Sequence, residues 1–155
     1  MIKEIHIIDC NNDLIMMIRG MFEQEKAFRF RNINPEKLDI SLKSIPSLII
    51  INAESANTDV IELCKKIRKN EDNSITPIIV ITDNDSKEHK IDILEKSVEY
   101  VISKKEIKDY LYYIIKNLRL MKIEWRFLLK NKNKLDFLKF PIVISPKYMY
   151  NGTVN

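Results

Sequence analysis

Glycine is almost absent from this chain, with two residues among 155, and proline is sparse at five. Loops must therefore make their turns with Asn, Asp, Ser and the few prolines, whose side chains or fixed ring bend the backbone locally. Cysteine is as scarce: Cys10 and Cys64 stand far apart, with no CxxC pair and no ligand cluster beside either. That usage suits reduced thiols in a reducing compartment, and a cytoplasmic location is expected. No wholly apolar run approaches the roughly 20 residues that cross a bilayer, so no membrane role is expected. Residues Met1 to Ile8 carry Lys3 and Glu4 inside their apolar stretch and lack a small-residue cleavage site, so export is not expected either.

Hydrophobic residues make up 45% of the chain and charged residues 31%, a balance that can fill one hydrophobic core. The length allows one domain with an appendage and is too short for two ordinary domains. The net charge of +4 hides a division, because residues 1–103 hold 14 Lys/Arg against 18 Asp/Glu while residues 104–139 hold 11 against 4. A basic tail on an acidic body can meet nucleic acid, an acidic partner or simply water. No helix-turn-helix pattern accompanies it, so a nucleic-acid adaptor is the alternative and not the main expectation.

Five β-rich runs alternate with helical patterns, which predicts a parallel sheet covered on both faces. The strands are expected at Ile5–Ile8, Phe28–Ile33, Leu48–Ile51, Ile78–Ile81 and Tyr100–Ile102. The second, with aromatic residues alternating with Arg and Asn, reads as a half-wet edge. Helices are expected from about Asn12 to Gln24 on Leu14, Ile18 and Phe22, from Pro35 through Leu38, Ile40 and Leu42, on Val60, Leu63, Cys64 and Ile67, and from about Ser86 to Lys96 on Ile91 and Leu94. The whole reads as an α/β fold of (βα)5 type, a doubly wound parallel five-stranded sheet with an extended C-terminal helix. No internal repeat interrupts it.

In open parallel sheets ligands sit beyond the carboxyl ends of the strands. The residues there are Asp9-Cys10, Asn52, Thr82-Asp83 and Ser103-Lys104. On these the chain, over about residues 2–120, resembles the receiver domain of two-component response regulators, a flavodoxin-like fold. Pro46-Ser47-Leu48-Ile49-Ile50-Ile51-Asn52 resembles the segment ending in the phosphorylated aspartate. Thr76-Pro77-Ile78-Ile79-Val80-Ile81-Thr82 resembles the strand ending in the switch hydroxyl, and Glu99 to Lys104 the strand ending in the phosphate-binding lysine.

The resemblance implies a carboxylate nucleophile, two acids holding Mg²⁺, a hydroxyl and a lysine, and the chain keeps only part of that set. Asn52 stands at the phosphoacceptor position, and an amide lacks the anionic oxygen that attacks phosphorus. Asp9 keeps one metal carboxylate while Cys10 replaces the second, so Mg²⁺ binding is expected to be weak or absent. Thr82 and Lys104 keep the switch and phosphate-binding positions, and Lys104 is expected to pair with Asp9. Asp13, Glu54 and Asp83 are near enough to supply a substitute acid. The aromatic switch position falls at Val101, with Tyr100 on the opposite face. His6 is expected to be packed and His89 to face solvent.

From Ile107 a 4-3 spacing runs through Leu111, Ile114, Leu118, Met121, Trp125 and Leu128. It reads either as a core stripe that folds back or as a seam for a homodimer or an output domain, the second being favoured. Residues 121–155 are expected to form a helical extension and tail. Leu135-Asp136-Phe137-Leu138 resembles the junction into diguanylate cyclase domains, but Lys139-Phe140 replaces the usual Thr-Gly and no GGDEF motif follows. The expectation is a phosphorylation-independent receiver that is not an enzyme and regulates by contact with a protein partner. The alternatives are a regulator phosphorylated on a substitute acid, or one feeding a cyclase-type output.

Overall fold

The computed structural model describes residues 2–9, 12–41, 43–54, 59–96 and 98–116. Five strands form one sheet: β1 (Lys3–Ile8), β2 (Phe28–Ile33), β3 (Leu48–Asn52), β4 (Ile78–Thr82) and β5 (Tyr100–Ser103). Every pairing is parallel, and the order is β2-β1-β3-β4-β5. This is the doubly wound order in which the chain reverses direction across the sheet beside β1, the place where such folds carry their sites. The central strands β3 and β4 are buried at every position, as their unbroken Ile-rich runs require. β2 alternates and lies at an edge, as its sequence predicts.

The period of two along each strand divides the core. Ile5, Ile50, Ile79 and Ile102 face α1 (Asp13–Met21) and the C-terminal helix. Ile8, Ile51, Val80 and Val101 face α2 (Leu38–Ser41), α3 (Val60–Lys69) and α4 (Lys87–Leu94). Tyr100 and Val101 therefore belong to opposite layers, as read from the sequence. Among the described residues turns are made without glycine. The side chain of Asp59 accepts the Ile61 N–H at the start of α3, Ser86 accepts the His89 N–H at the start of α4, and Asn34 accepts the Glu36 N–H before Pro35.

Three helix expectations need correction. In α2 the buried residue is Leu38, whereas Ile40 is 68% exposed, because the segment is one short turn after a 3₁₀ stretch and cannot carry a long apolar face; Leu42 lies outside the described residues. In α4 the inward residues are Lys90 and Ile93, Leu94 is partly buried, and Ile91 is 39% exposed. The C-terminal helix begins as a 3₁₀ turn (Lys104–Glu106), passes through a π-helical stretch (Ile107–Leu111) and becomes α-helical over residues 112–116.

That π stretch changes which residues the heptad brings inward. Its wider turn delays the helix by about one residue, roughly 100°. Ile115 is consequently buried, at 2% exposed, while Ile114 is only partly covered. Ile107 and Leu111 are fully buried against the sheet and so are core residues, not part of an exposed seam. Leu118, Met121, Trp125 and Leu128, with the extension 121–155, lie outside the described residues. The helix is pinned to the α1–β2 turn: Tyr112 stacks on Phe22 at 5.1 Å between ring centroids, and its hydroxyl donates to Glu25 at 3.0 Å. No helix among the described residues is long and apolar enough to cross a membrane.

Candidate functional site

Parallel pairing brings four strand ends to one edge. Ile8 pairs with Ile51, so Asp9 and Asn52 stand level; Asn52 pairs with Ile81, and Thr82 with Ser103. All four residues are buried, with Asp9 at 1% exposed, Asn52 at 4%, Thr82 at 0% and Ser103 at 1%. The strands thus collect the sequence-predicted residues Asp9, Asn52, Thr82 and Lys104 at one end of the sheet. Cys10 lies outside the described residues.

The ion pairs of Lys104 run to Asp83 and Glu54 and not to Asp9, the partner expected from the sequence. Its ammonium lies 3.0 Å from Asp83 Oδ2 and 3.8 Å from Glu54 Oε2. The reason is local: Asp83 and Lys104 follow adjacent, hydrogen-bonded strands and leave the sheet side by side. Glu54, in the turn after β3, reaches across to β4, where its Oε1 accepts the Thr82 hydroxyl at 2.5 Å and the Asp83 N–H at 2.8 Å. The Thr82 hydroxyl also accepts the Asn84 N–H at 3.1 Å. His89 is half-buried and not a solvent residue, with Nε2 3.4 Å from Thr82 Oγ. His6 is packed as expected, 3% exposed, and its Nε2 meets Glu4 Oε1 at 2.6 Å.

Beside this group lies a network with no apolar periodicity to announce it. Asp85 accepts from Lys90 at 2.9 Å, from the Ser103 hydroxyl at 2.5 Å and from Lys105, and Lys90 also donates to Ser103 at 3.0 Å. Lys105, then Ser103 and Lys90, hold the Asp85 carboxyl well below the usual carboxylate range. Lys90 is only 1% exposed, so α4 is fastened to the end of β5 by a buried ammonium.

The donor set suits Mg²⁺ poorly. That ion prefers an octahedron of oxygens with carboxylates among them. At the strand ends Asp9 offers a carboxylate and Asn52 a neutral amide, while Glu54 is engaged with Thr82 and Asp83. Among the described residues no group of three or more His, Cys, Asp or Glu side chains is placed to hold a metal. Asp13 is exposed at the start of α1. Of the three substitute acids, Glu54 meets Thr82 and lies near Lys104, and Asp83 pairs with Lys104.

No family model matches the chain, and no curated protein matches it. Solved structures do. The isolated receiver domain of RcsB from Salmonella enterica serovar Typhimurium, in the presence of phosphomimetic BeF3-, is similar at a TM-score of 0.66 and 18% identity, covering 77% of this chain and 89% of that one. The chemotaxis response regulator CheY4 of Vibrio cholerae is similar at 0.67 and 16% identity, covering 76% and 99%. The receiver domain of the sensor histidine kinase PA1611 from Pseudomonas aeruginosa, with magnesium in its active-site cleft, is similar at 0.65 and 17% identity, covering 76% and 98%. At such identities the likeness establishes the fold, which is that of receiver domains.

Proposed function

We propose that this chain is a phosphorylation-independent receiver-type regulatory module that acts by contact with a protein partner or output domain, and not as an enzyme. The observation that carries the reading is Asn52 at the carboxyl end of β3, level with Asp9 and beside Thr82. An attacking group at that place must be an oxygen anion, and the amide oxygen of Asn52 carries no such charge. The donor set around it offers Mg²⁺ too few acids, which removes the second requirement of phosphoryl transfer. Partner contact falls to surfaces outside the strand-end site. The later members of the 4-3 pattern, Leu118, Met121, Trp125 and Leu128, are the proposed dimer or docking stripe, since Ile107 and Leu111 belong to the core and Ile114 is partly buried against it.

The test is incubation of the full chain with acetyl phosphate and Mg²⁺, read by intact mass. No phosphoryl adduct is expected on the native chain. A stoichiometric adduct would sink the reading and favour the second one, phosphorylation of a substitute acid. That alternative has one specific observation behind it, the placement of the Glu54 carboxylate against Thr82 and near Lys104.

A further inference from the structure

The amino end of the sheet, opposite the strand-end site, carries an apolar row. Ile2, Ile45 and Ile75 lie just ahead of β1, β3 and β4 and are 56%, 65% and 36% exposed. Ile5 pairs with Leu48 and Ile49 with Ile78, so the same register carried backwards sets Ile2 level with Ile45, and Ile75 level with Pro46. Hydrogen bonds hold these strand entries together: the Ser47 N–H donates to the Glu4 carbonyl at 2.7 Å, and Asn73 Nδ2 to the Ser44 carbonyl at 3.1 Å. Adjacent strands stand about 4.8 Å apart, so the three isoleucines line roughly 10 Å of this edge. Single exposed apolar side chains are ordinary, but neighbouring ones in a row mark a contact surface. The described chain ends beside this row. Its last residue, Lys116, pairs with Glu25 in the turn from α1 to β2, and the Lys3 N–H ties that turn to β1 by donating to the Ala27 carbonyl at 2.8 Å. Residues 117–155 follow and lie outside the described residues. They include Phe140, Ile142, Val143 and Ile144, an apolar run that belongs to none of the five strands.

We propose that the isoleucine row at the amino end of the sheet is the seat of this chain's own segment 140–144, folded back onto the same molecule. Three observations choose this occupant over a foreign one. The row and the run are both apolar, and the chain leaves the described residues at the end of the sheet where the row lies. The body, residues 1–103, is acidic with 14 Lys/Arg against 18 Asp/Glu, whereas residues 104–139 are basic with 11 against 4, so the connecting stretch is drawn to the surface it must cross. That stretch, residues 117–139, outreaches the row at about 1.5 Å per residue as helix or 3.3 Å extended. A segment tethered in this way acts at millimolar effective concentration, so a contact of sub-millimolar strength keeps the seat filled. The proposal is independent of Asn52 and its neighbours, which lie at the other end of the sheet.

The experiment compares isoleucine-methyl NMR spectra of the native full chain and of the full-length variant Phe140→Ser, Ile142→Ser, Ile144→Ser. The methyl signals of Ile2, Ile45 and Ile75 are expected to shift in the variant at every protein concentration, while those of the buried Ile50 and Ile79 stay in place. Three unmoved signals overturn the proposal. A difference that fades as both proteins are diluted also overturns it, because the occupant is then the tail of a second copy. If the Ile50 and Ile79 signals move as well, the converse substitution Ile45→Ser decides, read by trypsin cleavage after Lys139 in the full chain. With the seat spoiled, cleavage is expected to run about threefold or more faster than in the native chain, since it tracks the undocked population. An equal rate overturns the proposal.

Discussion

Glu99, 1% exposed at the start of β5, lies at the opposite end of the sheet from Asn52 and faces the guanidinium of Arg68 at 3.3 Å. It also accepts the Ile78 N–H that opens β4. Burial pushes its carboxyl up to about 7 from an ordinary 4.5, with Arg68 and the Ile78 N–H pulling the other way. The folded state therefore holds this proton more tightly than the unfolded chain. The resulting stability is fully present below 4.5 and is lost as the pH rises through about 7. Glu99→Gln is expected to remove that slope, on the order of 3 kcal/mol across the window, in denaturant midpoints measured from pH 4 to 8. An unchanged slope would show that Arg68 compensates the buried charge completely. Arg68 also donates to the carbonyls of Asn73 and Thr76, so this one side chain closes the turn before β4 as well as meeting Glu99.

Among the elements, α1 holds Gly20 at an exposed helical position where an added Cβ would meet nothing within 4 Å. Gly20→Ala is expected to raise stability by about 0.5–1 kcal/mol, through lower entropy of the unfolded chain and better helix propensity, read as a higher denaturant midpoint at unchanged slope. All five strands were legible in the sequence: buried parallel strands need unbroken apolar runs, as Leu48–Ile51 and Ile78–Ile81 are, and the edge strand β2 shows itself by alternation. Helix α3 was legible because Val60, Leu63, Cys64 and Ile67 keep one face. Helix α4 is legible in its extent but not in its inward face, because its deepest residue is a lysine held by Asp85 and Ser103, and hydrophobic periodicity passes over a buried ammonium. The strand-end site was legible as far as strand boundaries give it, in Asp9, Asn52, Thr82 and Lys104. The place of Glu54 was not, since it depends on a side chain crossing from the turn after β3 to a hydroxyl on β4.

Over the whole molecule, the acidic body and the basic 104–139 segment divide the charge, and the proposed contact stripe lies in the basic part. The full chain is expected to be a dimer by light scattering, and the triple variant Met121→Ser, Trp125→Ser, Leu128→Ser a monomer with an unchanged circular dichroism spectrum. A native chain that runs as a monomer would move the stripe's role to a different partner. The π-helical stretch Ile107–Leu111 bears on how freely anything can be joined to this domain. A regular helix has no spare residue, so one gained or lost in its middle swings all that follows off its seat by roughly 100°. Here the wide turn already stores one residue of slack, with Leu111 seated at its end and Ile115 beyond it. The loss of one residue at this point can be taken up by return of the wide turn to a regular α-helical one. The chain can therefore shorten here by one residue while the domain and its last described turn keep their alignment.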